Sequence, residues 1–373
     1  MKLIYAISTL SGTIIGVGIF ALPYITLKAG FWVVLGYFFV LGFLVILIHL
    51  IFGELALKTP DYKRLPGFAK IYLGTFGEKI AYVSTILGSL GAILAYLIVG
   101  GEFLENLLSP VFGGSNFFWT TVYFLLGALL IFFGIKIVAK VEFFSLILFF
   151  FVLILLFFAG KGLISKENLF ITNWELKLEN FFLPYAPILF SLWGASLIPE
   201  IEEMLKDRKF MLKIVIFVSI LIPILVYSAF VYLILGICGE KTTPSALVGL
   251  KSFLGEGITG LTLFLGTLTT FTSFITLGLT LKKIFWYDLQ IGKNLSMILA
   301  TLPPYVLFLC GVNQFLSVIS IVGGIFLGVD GILILLMYRK IQRSSIKNLL
   351  LYPLFLILVS GILFQLLEIK WRF

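Results

Sequence analysis

The chain has 373 residues, of which 61% are hydrophobic and 12% are charged, and its mean hydropathy is +1.15. A soluble domain of this size does not need so much apolar surface, and repeated apolar runs of about 20 residues favour membrane helices over the roughly ten-residue strands of a barrel. The composition excludes a soluble protein and predicts an all-α integral membrane protein.

The net charge of +9 follows membrane topology and does not indicate a nucleic-acid partner. Lys and Arg concentrate in the connectors of one side, such as the segments from Lys58 to Lys70 and from Arg339 to Lys347. By the positive-inside rule, the N-terminus is cytoplasmic, and an odd number of spans leaves the C-terminus outside. The predicted location is the cytoplasmic membrane, with the lipid bilayer as partner and no nucleic acid.

Hydropathy predicts eleven transmembrane helices in a single transporter domain, residues 1–373. They lie near residues 4–28, 31–57, 78–108, 117–134, 141–159, 182–206, 211–237, 256–286, 295–312, 316–338 and 350–368. A shift of 178 residues places the first five spans on the next five. Because five is odd, the second copy enters the membrane from the opposite face. This predicts a five-plus-five inverted repeat, with repeat one at 1–160, repeat two at 180–338 and an extra helix 11 at 350–368.

The first span contains S-G-T-I-I-G-V-G-I-F-A-L-P-Y, from Ser11 to Tyr24, and the shift places Gly16 on Gly194 in the sixth span. Glycine forfeits about 1 kcal/mol and proline about 3 kcal/mol of helix propensity relative to alanine. Unwound backbone is tolerated in a membrane where it lines a cavity or is buried in protein. Discontinuous helices 1 and 6 are therefore predicted at a binding site, although glycines of this kind also serve close helix packing.

The sixth span reads L-F-S-L-W-G-A-S-L-I-P-E, from Leu189 to Glu200. Together with the first span, it resembles the amino acid/polyamine/organocation superfamily, and most closely the amino acid/auxin permease branch, which includes bacterial aromatic amino acid permeases. That resemblance implies a secondary transporter whose substrate is an amino acid. Relatives that carry cationic substrates often have an acidic residue where this chain has Ser196, so the resemblance favours a neutral amino acid, with hydrophobic and aromatic amino acids as the candidates.

An amino acid is a zwitterion, and its charges need partners inside a membrane protein. The amides around the first break begin a half-helix whose positive end suits a carboxylate, while freed carbonyls of the sixth span suit an ammonium group. Trp193 and Phe190 would line the apolar part of the site. The predicted substrate-binding residues are Gly16, Val17, Gly18, Phe190, Ser191, Trp193 and Gly194.

The eighth span contains T-L-T-T-F-T-S-F, from Thr267 to Phe274. Hydroxyls in membrane helices usually bond to the preceding turn, but the resemblance implies that some of these hold sodium. The implied ligands are the carbonyls of Gly12, Ile15 and Thr269 and the hydroxyls of Thr272 and Ser273. Proton-coupled relatives keep the same hydroxyls, so both Na⁺ and H⁺ remain possible coupling ions; no other cofactor or metal is predicted.

Ionisable residues inside spans are treated as functional candidates. Asp330 and Glu200 are candidates for gating or proton relay. The alternative for Asp330 is a carboxylate buried against a helix end or a basic side chain, and for Glu200 a gate ion pair or an interfacial charge is favoured over a proton carrier. His49, the single histidine, is predicted to be a packing residue. No catalytic constellation is found, so an enzyme is not predicted. The leading prediction is cation-coupled symport by alternating access; the alternatives are a non-transporting amino acid receptor of transporter fold and an uncoupled exchanger.

Overall fold

The computed structural model describes residues 2–59, 63–134, 138–170, 178–342, 348–349 and 351–372. Residues 60–62 and 343–347, which belong to the two basic connectors, lie outside this part of the chain. Helices dominate the described residues: α1 (Lys2–Ile14), α2 (Leu22–Ala29), α3 (Phe31–Lys58), α4 (Leu65–Phe112), α5 (Asn116–Phe133), α6 (Val138–Gly160), α7 (Lys166–Leu169), α8 (Leu178–Phe182), α9 (Tyr185–Leu192), α10 (Ile198–Met204), α11 (Leu212–Cys238), α12 (Glu256–Lys283), α13 (Lys293–Leu309), α14 (Phe315–Ile321), α15 (Gly328–Ile341) and α16 (Leu351–Arg372).

The spans that hydropathy predicts coincide with helices of the structure. Within the described residues, eight helical stretches are long and apolar enough to cross a membrane, and the pair α1 and α2 forms one more span with a 45° bend. Apolar helices at Ile147–Gly160 and Lys293–Leu309 occupy the predicted fifth and ninth spans but are shorter. All eleven predicted segments thus coincide with helices, while the count of eleven complete crossings stays a prediction.

At both predicted breaks, an α-helix is followed by a short 3-10 helix. Helix α1 ends at Ile14, and a 3-10 helix begins at Val17 after Gly16, whose φ of −111° and ψ of −154° are extended. Helix α9 ends at Leu192, and a second 3-10 helix begins at Ala195 after Gly194. Both pairs of boundaries are 178 residues apart, since 192 − 14 and 195 − 17 give the same value. The opposite orientation of the two halves remains a prediction.

Two glycines of α4 pack against an irregular part of the tenth span. Residues 322–327 between α14 and α15 form a π-helix, which widens the turn. A β-carbon on Gly88 would lie 3.3 Å from Phe326 Cβ, and one on Gly91 would meet the Val322 side chain. The absence of side chains at these glycines therefore lets the π-helical turn pack directly against α4. Such turns often occur at functional sites.

Candidate functional site

Both helix breaks open onto one internal cavity of about 190 Å³. Its walls come from the two breaks, from α4, from α12 and from the tenth span, and include Gly16, Val17, Gly18, Arg64, Ser84, Thr85, Tyr96, Phe190, Ser191, Trp193, Glu200, Ser273 and Asp330. A larger groove of about 570 Å³ lies between α3, the beginning of the sixth span and α16, but its lining is mostly apolar and includes neither break. The smaller cavity is therefore the candidate site.

Two kinds of contact involve the first break and the cavity lining. Phe20, which follows the first break, makes edge contacts with Phe103 and Phe230 at ring-centroid distances of 5.0 and 6.1 Å. In the cavity lining, Arg64 Nη1 lies 2.8 Å from both carboxylate oxygens of Asp288, so the start of α4 and the end of the eighth span are joined by an ion pair. The topology prediction places this ion pair on the cytoplasmic side.

The predicted substrate residues, except Gly194, line the cavity. The N–H groups of Val17 and Gly18 stand at the start of a helix that continues to Ala29, where no preceding turn provides backbone acceptors. A β-carbon on Gly18 would lie 3.0 Å from Ser191 Cα, so this glycine allows the two breaks to approach each other. Gly194 instead packs against the end of α1, where its β-carbon would lie 2.7 Å from Ile14 Cγ1. Close packing, the alternative explanation for these glycines, therefore accompanies the breaks.

A tyrosine from α11 joins the two breaks. The Tyr227 hydroxyl lies 2.7 Å from the Ile14 carbonyl oxygen and 2.8 Å from the Ser191 carbonyl oxygen, and its side chain is fully buried. A phenol has one proton and donates to one of these carbonyls at a time. Tyr227 thus partners two of the carbonyls that the interrupted helices release, including one that we predicted for the substrate ammonium group.

The single histidine supports the second break. The Gly194 N–H donates to His49 Nε2 at 2.9 Å, so that nitrogen is an acceptor and the proton resides on Nδ1, which donates to the Val45 carbonyl at 2.8 Å. The Trp193 ring meets the imidazole edge at a centroid distance of 5.2 Å. His49 is fully buried, as a packing residue should be, and it also provides the partner for a backbone amide that helix 6 leaves unpaired.

We expect His49→Phe to destabilise the protein by about 1–3 kcal/mol, because the buried Gly194 N–H loses its acceptor. An aromatic ring still fills the position, so the loss reports on the hydrogen bond. His49→Gln should recover part of the loss, since its amide oxygen can accept the same hydrogen bond. Thermal unfolding of the purified variants in one detergent measures both effects. Equal melting temperatures for wild type and His49→Phe would show that this hydrogen bond contributes nothing to stability.

One of the five predicted cation ligands lines the cavity. Ser273 lines it together with Gly16 and Gly18, whereas Gly12, Ile15, Thr269 and Thr272 are not part of the lining. The Thr272 hydroxyl donates to the Thr269 carbonyl at 3.0 Å, so two of the predicted ligands are bonded to each other. This is the back-bonding expected of a hydroxyl in a membrane helix.

Both predicted acidic candidates line the cavity. Asp330 is 7% exposed, and its Oδ1 accepts a hydrogen bond of 2.5 Å from the Ser84 hydroxyl on α4. Glu200 belongs to α10, and its Oε2 is buried with no hydrogen-bond partner among the described residues. Arg64, which lines the same region, is held by Asp288. The cavity therefore combines aromatic walls with two carboxylates and one guanidinium group.

Sequence reasoning did not identify Tyr227, Tyr96, Ser84 or Arg64 as site residues. Tyr227 and Ser84 are polar groups within apolar spans, which is the available signal, but each has another hydroxyl residue next to it, and many membrane hydroxyls bond locally. Their roles depend on contacts with residues 213 and 246 positions away in the chain. Such contacts follow from helix packing, which no local motif encodes.

Comparison with known proteins gives one family and a consistent fold. The family model described as the tryptophan/tyrosine permease family matches residues 1–355. No curated protein matched the sequence.

The solved structures with similar folds are transporters at low sequence identity. MhsT in complex with L-phenylalanine has a TM-score of 0.61 and 15% identity, covering 97% of each chain. The nucleobase-cation-symport-1 family transporter Mhp1, closed with bromovinylhydantoin bound, has a TM-score of 0.67 and 12% identity, covering 98% of this chain and 92% of that one. A manganese transporter from Eremococcus coleocola has a TM-score of 0.61 and 13% identity, with coverages of 97% and 86%. These similarities establish the shared fold.

Proposed function

We propose that this chain, which belongs to the tryptophan/tyrosine permease family, carries a neutral aromatic amino acid into the cell by cation-coupled symport. Family membership confirms the resemblance to amino acid permeases seen in the first and sixth spans. With the shared fold, it makes the chain a multi-pass membrane transporter of a small-molecule substrate and not an enzyme. The aromatic substrate, the coupling cation and a cytoplasmic N-terminus with an external C-terminus belong to the proposal.

The observation that carries the proposal is the single cavity between two broken helices. Its volume of about 190 Å³ is below the roughly 300–1,000 Å³ of pockets for drug-sized ligands, and it suits one amino acid. Phe52, Tyr96, Phe190 and Trp193 contribute aromatic walls. Aromatic side chains of a substrate pack favourably against such rings in offset or edge geometry.

The breaks supply partners for the charged ends of the substrate. The Val17 and Gly18 amides begin the helical stretch Val17–Ala29, whose positive end favours a carboxylate. The carbonyls of Phe190, Ser191 and Trp193 are the proposed acceptors for the ammonium group. The Ser191 carbonyl already receives Tyr227, but a carbonyl oxygen has two lone pairs and accepts a second donor.

Hydrogen bonds and ion pairs link the spans within two groups, and bonds such as that between Glu54 and Tyr338 connect the groups to each other. Tyr227 and His49 connect the first, second, sixth and seventh spans through the two breaks. Ser84 with Asp330, and Arg64 with Asp288, connect the third, eighth and tenth spans. The cavity lies between the groups. We propose that rocking of one group against the other exposes the substrate to each side in turn, with the substrate and cation favouring the closed arrangement.

The proposal is tested by uptake of a labelled amino acid panel into proteoliposomes, with sodium and proton gradients imposed separately. We expect accumulation of aromatic amino acids, tryptophan and tyrosine above all, under one of the two gradients. Uptake that requires internal amino acid and ignores both gradients would establish the exchanger. Substrate binding without any uptake would establish the receptor, and uptake restricted to cationic or non-aromatic substrates would overturn the substrate assignment.

A further inference from the structure

Of the acidic side chains that are nearly fully buried in the part that the structure describes, one has no basic partner. Two acidic side chains there are at most 7% exposed, Glu202 and Asp330. Glu202 Oε1 lies 2.7 Å from Lys209 Nζ, which neutralises it. The described polar contact of Asp330 is the Ser84 hydroxyl, a neutral donor. A negative charge inside a membrane protein requires a compensating positive charge or a proton.

Asp330 lies deep within the tenth span. The span runs from Phe315 to Ile341, so Asp330 is 11 residues, or about 16 Å of helix, from its end. On one side, α16 presents apolar atoms: a β-carbon on Gly331 would lie 2.8 Å from Leu358, and one on Gly328 would lie 2.9 Å from Ile362. On the opposite side, Asp330 and Ser84 line the cavity. The cavity is therefore the route by which a cation reaches the carboxylate.

The other charged groups around the tenth span are already engaged or lie elsewhere in the cavity. On α3, Glu54 bonds to Lys58 at 2.7 Å and to the Tyr338 hydroxyl at 3.2 Å, and His49 is occupied by Gly194 and Val45. On α4, Arg64 pairs with Asp288. Glu200 lines the cavity from α10 and adds negative charge. This environment provides no fixed cation for Asp330 and attracts a mobile one.

Oxygen donors around Asp330 are suited to a hard cation or a proton. Ser84 supplies one hydroxyl, and the neighbouring Thr85 hydroxyl is buried, lines the cavity and has no hydrogen-bond partner among the described residues. Carboxylate and hydroxyl oxygens are the ligand types preferred by hard cations. Of the predicted eighth-span ligands, Ser273 lines the same cavity, whereas Thr269 and Thr272 do not.

We infer that Asp330, supported by Ser84, binds the monovalent coupling cation, Na⁺ or H⁺, in the inner part of the cavity. The inference rests on the proposed symport and places its cation on the third and tenth spans. The substrate site is close by: a β-carbon on Gly331 would lie 3.3 Å from Trp193 Cη2, so the ring beside the second break packs against the residue that follows Asp330. Cation binding at Asp330 thereby bears on the position of Trp193.

The decisive variant is Asp330→Asn, which keeps the shape of the side chain and removes its charge. One positive charge moved with a neutral zwitterion down a potential of 100 mV supports about 50-fold accumulation. We expect wild type to accumulate substrate on this scale under one gradient, and Asp330→Asn to reach only equal concentrations inside and outside. Counterflow exchange should persist in the variant, which also shows that it is folded. Exposed Glu256→Gln on α12 is the matched control.

Uptake measured separately under a sodium gradient and under a proton gradient identifies the ion. Ser84→Ala distinguishes the two ions. With Na⁺ coupling, loss of a hydroxyl ligand should raise the cation concentration for half-maximal uptake about 10-fold, whereas with H⁺ coupling, loss of a donor to the carboxylate should lower the required proton concentration. Asp330→Glu should recover part of the accumulation. These two variants keep the inference testable if Asp330→Asn fails to fold.

Several outcomes would overturn the inference without touching the proposed symport. Full accumulation by Asp330→Asn would contradict the inference. So would loss of accumulation in the Thr272→Ala plus Ser273→Ala double variant if Asp330→Asn still accumulates substrate. A selective loss of substrate affinity at saturating cation would assign Asp330 to the ammonium group instead. If wild type accumulates no amino acid under either gradient, the proposed function itself fails.

Discussion

Gly18→Ala is expected to reduce amino acid uptake by about 100-fold, the scale on which a misplacement of about 1 Å acts at a reacting or binding centre. The added methyl group would lie 3.0 Å from both Cα and Cβ of Ser191, where carbon atoms normally pack about 3.5–4.0 Å apart. The two breaks must then separate, which moves the Gly18 amide away from the carbonyls of the sixth span. Initial rates of labelled uptake in proteoliposomes, corrected for the amount of reconstituted protein, measure the effect.

A matched glycine distinguishes this clash from a general cost of side chains in helices. Gly260 on α12 has no atom within 4 Å of its ideal β-carbon position, so Gly260→Ala should transport normally. Adding Ser191→Gly to Gly18→Ala removes the Cβ and Oγ contacts and should restore part of the activity. A double variant no better than Gly18→Ala would mean that the approach of the breaks at Ser191 is not the cause.

Tyr227→Phe is expected to lower stability by about 1–3 kcal/mol and to slow transport, because two buried carbonyls share a hydroxyl that phenylalanine lacks. The ring itself is retained, so packing against Phe38 is preserved. Beyond stability, the first and sixth spans lose their shared partner. Spin labels on these two spans should give a broader distance distribution in the variant than in wild type.

The control for this variant is Tyr232→Phe on the same helix, where the side chain is 42% exposed. It should leave both the melting temperature and the distance distribution unchanged. If Tyr227→Phe loses stability but keeps a narrow distribution and a normal transport rate, Tyr227 has a structural role only and does not link the breaks. Slower transport at unchanged substrate affinity would support the link.

The sequence predicted the features that depend on local chemistry. Gly16 and Gly194 weaken helices directly, and Pro23 and Pro199 favour the starts of the helices that follow, so both breaks fall where the 178-residue register places them. Long apolar runs located the helices because the hydrocarbon thickness sets their length. Membership of an amino acid permease family also followed from motifs in these breaks.

The partners of the breaks could not be predicted, because they depend on how distant helices rotate about their axes. His49 lies 145 residues from Gly194, and nothing near His49 in the sequence marks it as the acceptor for that amide. The same holds for Ser84 and Asp330, 246 residues apart. A hydroxyl motif in the eighth span was visible in the sequence, but the sequence did not show that Ser273 lines the cavity while Thr272 does not. Side-chain roles in this cavity therefore needed tertiary geometry.

The π-helical turn at residues 322–327 makes the inner cavity depend on chain length as well as on residue type. A π-turn holds one more residue than an α-turn, and each residue rotates an α-helix by about 100°. Deleting one residue from 322–327 would therefore restore a regular helix and remove the bulge that meets Gly88 and Gly91, although no side chain would change its chemistry. Insertions and deletions, which usually accumulate in loops, would in this span change how closely the tenth span packs against α4.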